Sequence, residues 1–273
     1  MEQIYGKYVF ITGGSSGIGL ATAELLAKNG YIVYSASRNP PEIRCFDGGG
    51  EIRPVALDVC DPQSVDSAAQ AVLSEADVGI VIHCAGIGTA CAGEDFPPSA
   101  VALMDTNFNG ALRVNSRFLP ALRRRGGGLC IIIGSVAGVY SIPFQSHYSA
   151  SKAALYSYAK ALRMELGDFG VRVSVISPGD TATEFTNARK IDIDEDSPHY
   201  KACIAAVSKM EQDEKNGRPP SSVAQVVLKL CGRKNPPAHK VVGADYKLLV
   251  FLRRLLPESL IERLLRSMYM PGK

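Results

Sequence analysis

The sequence predicts a doubly wound α/β fold, a parallel β-sheet covered by helices on both faces. Three observations carry that expectation. Short apolar, β-branched runs alternate along the chain with helical patterns; the runs are continuously apolar, as strands buried on both faces require; and the first run leads through a glycine-rich turn straight into a helix pattern. The chain has 273 residues, 46% of them hydrophobic, enough for a sizeable core. No internal repeat of roughly 20 to 50 residues and no low-complexity linker divides it, so residues 1–273 are read as a single domain.

The strand runs fall at residues 8–12, 32–36, 52–57, 79–83, 129–133 and 171–176, with 240–242 as a weaker seventh. The first ends in Thr12-Gly13-Gly14-Ser15-Ser16-Gly17-Ile18-Gly19, and a helix pattern over 20–29 follows at once. Glycines allow the turn and a close backbone approach to a pyrophosphate, whose charge the N–H groups of the helix start then meet. A dinucleotide site is therefore expected here, although the spacing is GxxxGxG and three glycines can also make a plain turn.

The second strand run is followed by Ser37 and Arg38, where a site selective for NAD would carry an acid on the ribose 2'-hydroxyl. The guanidinium of Arg38, assisted by the Ser37 hydroxyl, suits a 2'-phosphate instead, so NADP(H) is the expected cofactor and NAD(H) the alternative. After the third, Asp58 and Val59 offer one carboxylate to an adenine amino group, or Asp58 caps the helix that starts near Pro62. The fourth leads into Cys84-Ala85-Gly86, small residues that let a nucleotide pass close to the strand end. The segment 38–51, with Gly48-Gly49-Gly50, is too short and glycine-rich for a full helix.

Asn107 lies in the helical stretch 100–122, where its amide can bond within a wall or hold a water. Tyr148 and Lys152 stand four apart, hence one turn apart on one helix face, preceded by Ser135. A phenol of ordinary pKa about 10 needs a neighbouring charge to exchange protons near neutral pH, and a lysine supplies one. YxxxK alone is better read as part of an ordinary amphipathic helix, and the rest of the chain must decide.

The net charge of +3 is small and the basic residues are dispersed apart from 123–125 and 253–254, so no nucleic-acid partner is expected. Seven cysteines without CxxC spacing and four scattered histidines argue against a disulfide framework or a metal site, and favour reduced thiols in a cytoplasmic setting. Residues 184–220 lose the strand-helix rhythm and carry the acidic run 192–196; a mobile lid is expected, with Phe185, Tyr200, Ile204 and Met210 as pocket candidates. The tail 246–269 reads as two amphipathic helices broken at Pro257, a lid or subunit contact in first place and a membrane-surface contact in second.

Taken in order, Thr12-Gly13-x-x-x-Gly17-x-Gly19, Ala85-Gly86, Asn107, Ser135, Tyr148-x-x-x-Lys152 and Pro178-Gly179 give a chain that resembles the short-chain dehydrogenase/reductase family from about residue 5 to about residue 185. The resemblance implies a Rossmann fold and a catalytic set of Asn107, Ser135, Tyr148 and Lys152. It makes Tyr148 the general acid or base, Lys152 its partner and a ligand of the nicotinamide ribose, and Ser135 the group that orients the substrate oxygen. It also implies that Asn107 supports a water relay, that Pro178-Gly179 with Thr181 and Thr183 closes over the nicotinamide, and that the protein is a homodimer or homotetramer. The usual Asn-Asn-Ala-Gly stretch reads His83-Cys84-Ala85-Gly86, so whatever those asparagines hold must be held otherwise.

Residues 30–38 and 104–110 are similar to the branch of 17β-hydroxysteroid dehydrogenases, and Pro178-Gly179-Asp180-Thr181-Ala182-Thr183 to 3-ketosphinganine reductases. Both branches imply a small-molecule substrate, a bulky hydrophobic ketone or secondary alcohol. A non-catalytic NADP(H)-binding sensor or scaffold is the competing reading of the same fold.

Overall fold

A computed structural model describes residues 2–270. In chain order the elements are β1 (Tyr8–Thr12), α1 (Gly17–Lys28), β2 (Ile32–Ser37), β3 (Arg44–Cys45), β4 (Glu51–Ala56), α2 (Pro62–Glu75), β5 (Ile80–His83), β6 (Thr89–Ala90) and α3 (Pro98–Met104). They continue as α4 (Gly110–Arg124), β7 (Gly128–Ile133), α5 (Ser146–Glu165), β8 (Val171–Ser177), β9 (Lys190–Ile191), α6 (Tyr200–Lys215), α7 (Pro220–Cys231), β10 (His239–Val241), α8 (Ala244–Leu252) and α9 (Glu258–Tyr269).

Eight strands form one sheet in the order β10-β8-β7-β5-β1-β2-β4-β3, all parallel except the two-residue edge strand β3. β1 sits at the centre and sends its successor β2 to one side, with β5 on the other. The order therefore reverses beside β1, and in such sheets the crevice beyond the carboxyl ends at that reversal is where ligands bind. The fold class predicted from the strand runs is the one observed.

Alternation along β1 builds both cores. Phe10 faces one side, where it stacks on Phe118 of α4 at 4.2 Å between ring centroids, together with Val65 and Val72 of α2 and Leu155 of α5. Val9 and Ile11 face the other, against Leu26 of α1 and Val223 and Val227 of α7. Each such side chain contributes about 1.5 to 3 kcal/mol by leaving water.

Local signals place the helix starts. Pro62 occupies the first turn of α2, and the cap is Asp61, whose carboxylate accepts from the Gln63 N–H at 2.9 Å. Asp58, the alternative cap, instead accepts from Cys60 N–H at 2.9 Å. Between β2 and β4 the chain makes β3 and a glycine turn in place of a helix.

The stretch 184–220 is more regular than its sequence suggests, because α6 occupies sixteen of its residues. Cys203, Ala206, Val207 and Met210 form the buried face of that helix at the 3.6-residue period. The tail forms α8 and α9 with the break at Pro257, as read from the sequence.

Candidate active site

A cleft of about 1020 Å³ runs across the carboxyl ends of the central strands. At one end lies the turn from β1 to α1. Gly13 adopts φ +68°, and Gly19 lies so near the turn that a Cβ there would sit 2.0 Å from the Gly13 carbonyl oxygen. The N–H of Gly13 donates to Ala36 O at 2.8 Å, and Ser35 Oγ donates to Gly14 O at 3.0 Å, tying the turn to β2. Ser15, Ser16, Gly17 and Ile18 complete this cradle, and the Ser16 side chain makes no cap bond at the head of α1.

Beyond the end of β2, Arg38 is exposed and has no ion-pair partner among the described residues. Beside it Ser37 Oγ is buried without a hydrogen-bond partner. An orphaned hydroxyl next to a free guanidinium, across from a glycine cradle, fits a phosphorylated dinucleotide, so the residues present suit a nicotinamide adenine dinucleotide with or without a 2'-phosphate. Asp58 and Val59, and then Cys84, Ala85 and Gly86, continue the same wall.

The strand exit that lacks the Asn-Asn pair is tied to Thr12. Its carbonyl accepts from Cys84 N–H at 3.1 Å, and its hydroxyl from Ala85 N–H at 3.3 Å. His83 turns inward instead, with Nε2 2.8 Å from Asn115 Oδ1, and burial lowers its pKa to about 4, so the imidazole is neutral.

At the middle of the cleft, Ser135 follows β7, and α5 brings Tyr148 and Lys152 to the same wall, one helical turn apart. Ser135 Oγ accepts from Ala137 N–H at 3.1 Å, which fixes the hydroxyl. Lys152 is 7% exposed; its Nζ donates to Ile133 O at 3.1 Å and lies 5.7 Å from the centre of the Tyr148 ring. Burial pushes the Tyr148 phenol up to about 12, with the Ser135 hydroxyl acting in the opposite direction. Burial likewise brings the Lys152 ammonium down to about 8. Removal from water, rather than the ammonium, is the largest influence on the phenol, which therefore holds its proton at neutral pH.

Of the residues singled out from the sequence as catalytic or cofactor-binding, all but Asn107 line the cleft. Asn107 is 1% exposed, one layer behind, in a widened π-type turn over Asp105–Asn109 that interrupts the helical stretch. Its Oδ1 accepts from Ile87 N–H at 2.8 Å, and its Nδ2 donates to Ile87 O at 3.0 Å and to Ser151 Oγ at 3.2 Å. The amide thus clamps the strand exit to α5, the wall-holding role of the two left open.

Pro178, Gly179, Thr181 and Thr183 line the far wall. Tyr246 of α8 packs its ring on Gly179 and donates its hydroxyl to Asp180 Oδ2, while Arg218 pairs with Asp245; α8 is thereby fastened over the cleft. Sequence reasoning missed this fastening, whose signal is diffuse because Asp180 and Tyr246 are 66 residues apart.

The other half of the cleft is apolar. Phe185, its ring centroid 5.7 Å from that of Tyr148, and Met210 line it, whereas Tyr200 and Ile204 do not. Leu249, Leu252, Leu256, Leu265 and Tyr269 supply the wall from α8, α9 and their connection. Glu214 also faces the cleft, held by Thr186 Oγ1 at 2.6 Å and by the buried Arg189 guanidinium. Among the described residues no three His, Cys, Asp or Glu side chains gather as a metal site, and no helix is long and apolar enough to cross a membrane.

A family model described as short chain dehydrogenase matches residues 7–194. The 3-ketodihydrosphingosine reductase of Bacteroides thetaiotaomicron is 34% identical over 268 residues, which cover 96% of this chain and 98% of that protein. A short-chain dehydrogenase from Streptomyces avermitilis superposes with a TM-score of 0.79 at 25% identity, covering 96% of each chain. Another from Burkholderia cenocepacia, solved in complex with NADP, gives 0.74 at 26% identity and covers 96% of this chain and 99% of that one. With the ordered motifs, the cleft and these relatives in agreement, the chain belongs to the short-chain dehydrogenase/reductase family of oxidoreductases.

Proposed function

We propose that this protein interconverts a bulky hydrophobic ketone and its secondary alcohol, with NADP(H) as the preferred cofactor and Tyr148 as the general acid or base. The observation that carries the reading is the continuity of one cleft. It joins the glycine cradle and the Ser37–Arg38 pair to Ser135, Tyr148 and Lys152, and then to a leucine-lined pocket.

Gly13, Ser15, Ser16, Gly17, Ile18 and Gly19 would hold the pyrophosphate, Ser37 and Arg38 the 2'-phosphate, and Asp58, Val59, Cys84, Ala85 and Gly86 the adenine and ribose side. Lys152 would hold the nicotinamide ribose, and Pro178, Gly179, Thr181 and Thr183 the nicotinamide face. A bound nicotinamide supplies or accepts the hydride. The protein's part is to move one proton. Tyr148 is protonated at neutral pH, which suits donation to a ketone oxygen, and Ser135 stands ready to donate a second hydrogen bond to that oxygen as charge builds on it. The Lys152 ammonium beside the phenol offsets the charge left on it, and Asn107 keeps both walls in place.

The pocket beyond is apolar where α8 and α9 close it, and of the carboxylates along the cleft Glu214 is the one that acts on the phenol. That combination suits a long-chain amphiphile, and the name of the 34% identical relative agrees with it. NADPH consumption across steroid, sphingoid-base and short-chain ketones tests the reading. Turnover highest with a long-chain ketone supports it, and binding of NADPH without turnover of any ketone would favour the sensor reading instead.

A further inference from the structure

Among the described residues, seven of the thirteen large apolar side chains that stand exposed lie between Leu248 and Met268. The two helices there have little of their own buried: α8 has no buried residue, and α9 has Ile261. Their apolar side chains divide into two sets. Leu249, Leu252 and Leu265 point into the cleft, whereas Leu248, Phe251 and Leu255 do not line it and lie 58%, 56% and 65% exposed. Spaced by three and four residues, the outer set makes one stripe along α8 and the turn after it.

The unpaired charges of these two helices are mostly basic. Asp245 and Glu258 are taken by Arg218 and Arg253. Lys247, Arg254, Arg263 and Arg266 are exposed and form no ion pair among the described residues, leaving Glu262 as the acid nearby. A two-fold contact with a second copy would set these four cations against their own kind, because such an interface places the same patch on both sides. An anionic bilayer presents the complementary charge and accepts the apolar stripe into its headgroup boundary.

We propose that the α8–α9 segment docks this protein on an anionic lipid surface, with Leu248, Phe251 and Leu255 entering the boundary layer and Lys247, Arg254, Arg263 and Arg266 meeting the lipid phosphates. The same segment walls the cleft with its inner leucines, so an amphiphile passes from the bilayer to the site along apolar surface. The docking does not depend on the reaction proposed above, and its test reads binding alone.

The full chain is sedimented with vesicles of phosphatidylcholine alone and of phosphatidylcholine mixed with phosphatidylglycerol. The expected result is binding to the mixed vesicles, more than about tenfold weaker on the neutral ones, and weakened by salt. Lys247→Glu with Arg254→Glu should lower binding to mixed vesicles more than about tenfold while leaving the circular dichroism spectrum unchanged. Phe251→Ser should weaken binding with no change in gel-filtration elution. Equal or absent binding to the two vesicle types, or binding indifferent to the charge reversal, would overturn the proposal. So would a smaller species on gel filtration of Phe251→Ser, which would place a second copy on this face.

Discussion

Lys152→Met should make the cofactor-free protein more stable at pH 7, although it should also destroy catalysis. The lysine is 7% exposed and burial holds its ammonium at about 8, against an ordinary 10.5. At about 1.36 kcal/mol per pH unit that difference is roughly 3 kcal/mol of strain borne by the charged form at neutral pH. Methionine fills nearly the same volume without the charge, but loses the bond from Nζ to Ile133 O, worth about 1 kcal/mol. The net expectation is a gain of about 2 kcal/mol. The sign with pH follows from the depressed value: between about 8 and 10.5 the unfolded chain binds the proton and the folded one does not, so the wild type gains stability as pH rises through that window. The advantage of the variant should therefore shrink from pH 7 to pH 10. Urea unfolding of both proteins across that range reads the difference directly. A variant less stable than the wild type at pH 7, or a difference flat with pH, would refute the account of a desolvated ammonium.

Further predictions concern the cofactor side. Arg38→Asp should shift the ratio of catalytic efficiencies from NADPH toward NADH by about tenfold or more, since a charge-assisted pair is lost and a repulsive one gained; an unchanged ratio would remove Arg38 from the phosphate site. Ser37→Ala relieves a buried hydroxyl without a partner, so it should raise the stability of the cofactor-free protein by about 1 kcal/mol while weakening NADPH binding, as thermal unfolding and fluorescence titration would show. Gly19→Ala forces a Cβ to within 2.0 Å of the Gly13 carbonyl oxygen, so NADPH binding should be lost or the protein destabilised by about 1 to 3 kcal/mol; a variant normal in both assays would contradict the tight turn.

Most of the sheet was legible because its strands are buried on both faces and therefore written as unbroken apolar runs. The run at 8–12 became β1 residue for residue, and the others shifted by one position at one or both ends. The paired strands β6 and β9 were invisible, since two residues carry no periodicity. α6 was hidden for another reason: its buried face is made of Cys203, Ala206, Val207 and Met210, small or soft residues set among lysines and acids. The site was legible where chemistry depends on residue type at fixed spacing, as with Tyr148 and Lys152 on α5. It was illegible where distant segments meet, as Asp180 meets Tyr246 and Arg189 meets Glu214. The widened turn at Asn107 could not be read either, because a π-type turn leaves the hydrophobic pattern of the flanking helix nearly intact.

In the proposed reaction Tyr148 passes the proton in a cleft that binds NADP(H). Tyr148→Phe removes one oxygen from the ring and nothing from the cradle around Gly13–Gly19. NADPH oxidation with the best ketone substrate should fall by about a hundredfold or more, while NADPH affinity measured by fluorescence stays within about twofold. Turnover undiminished in this variant would contradict the account.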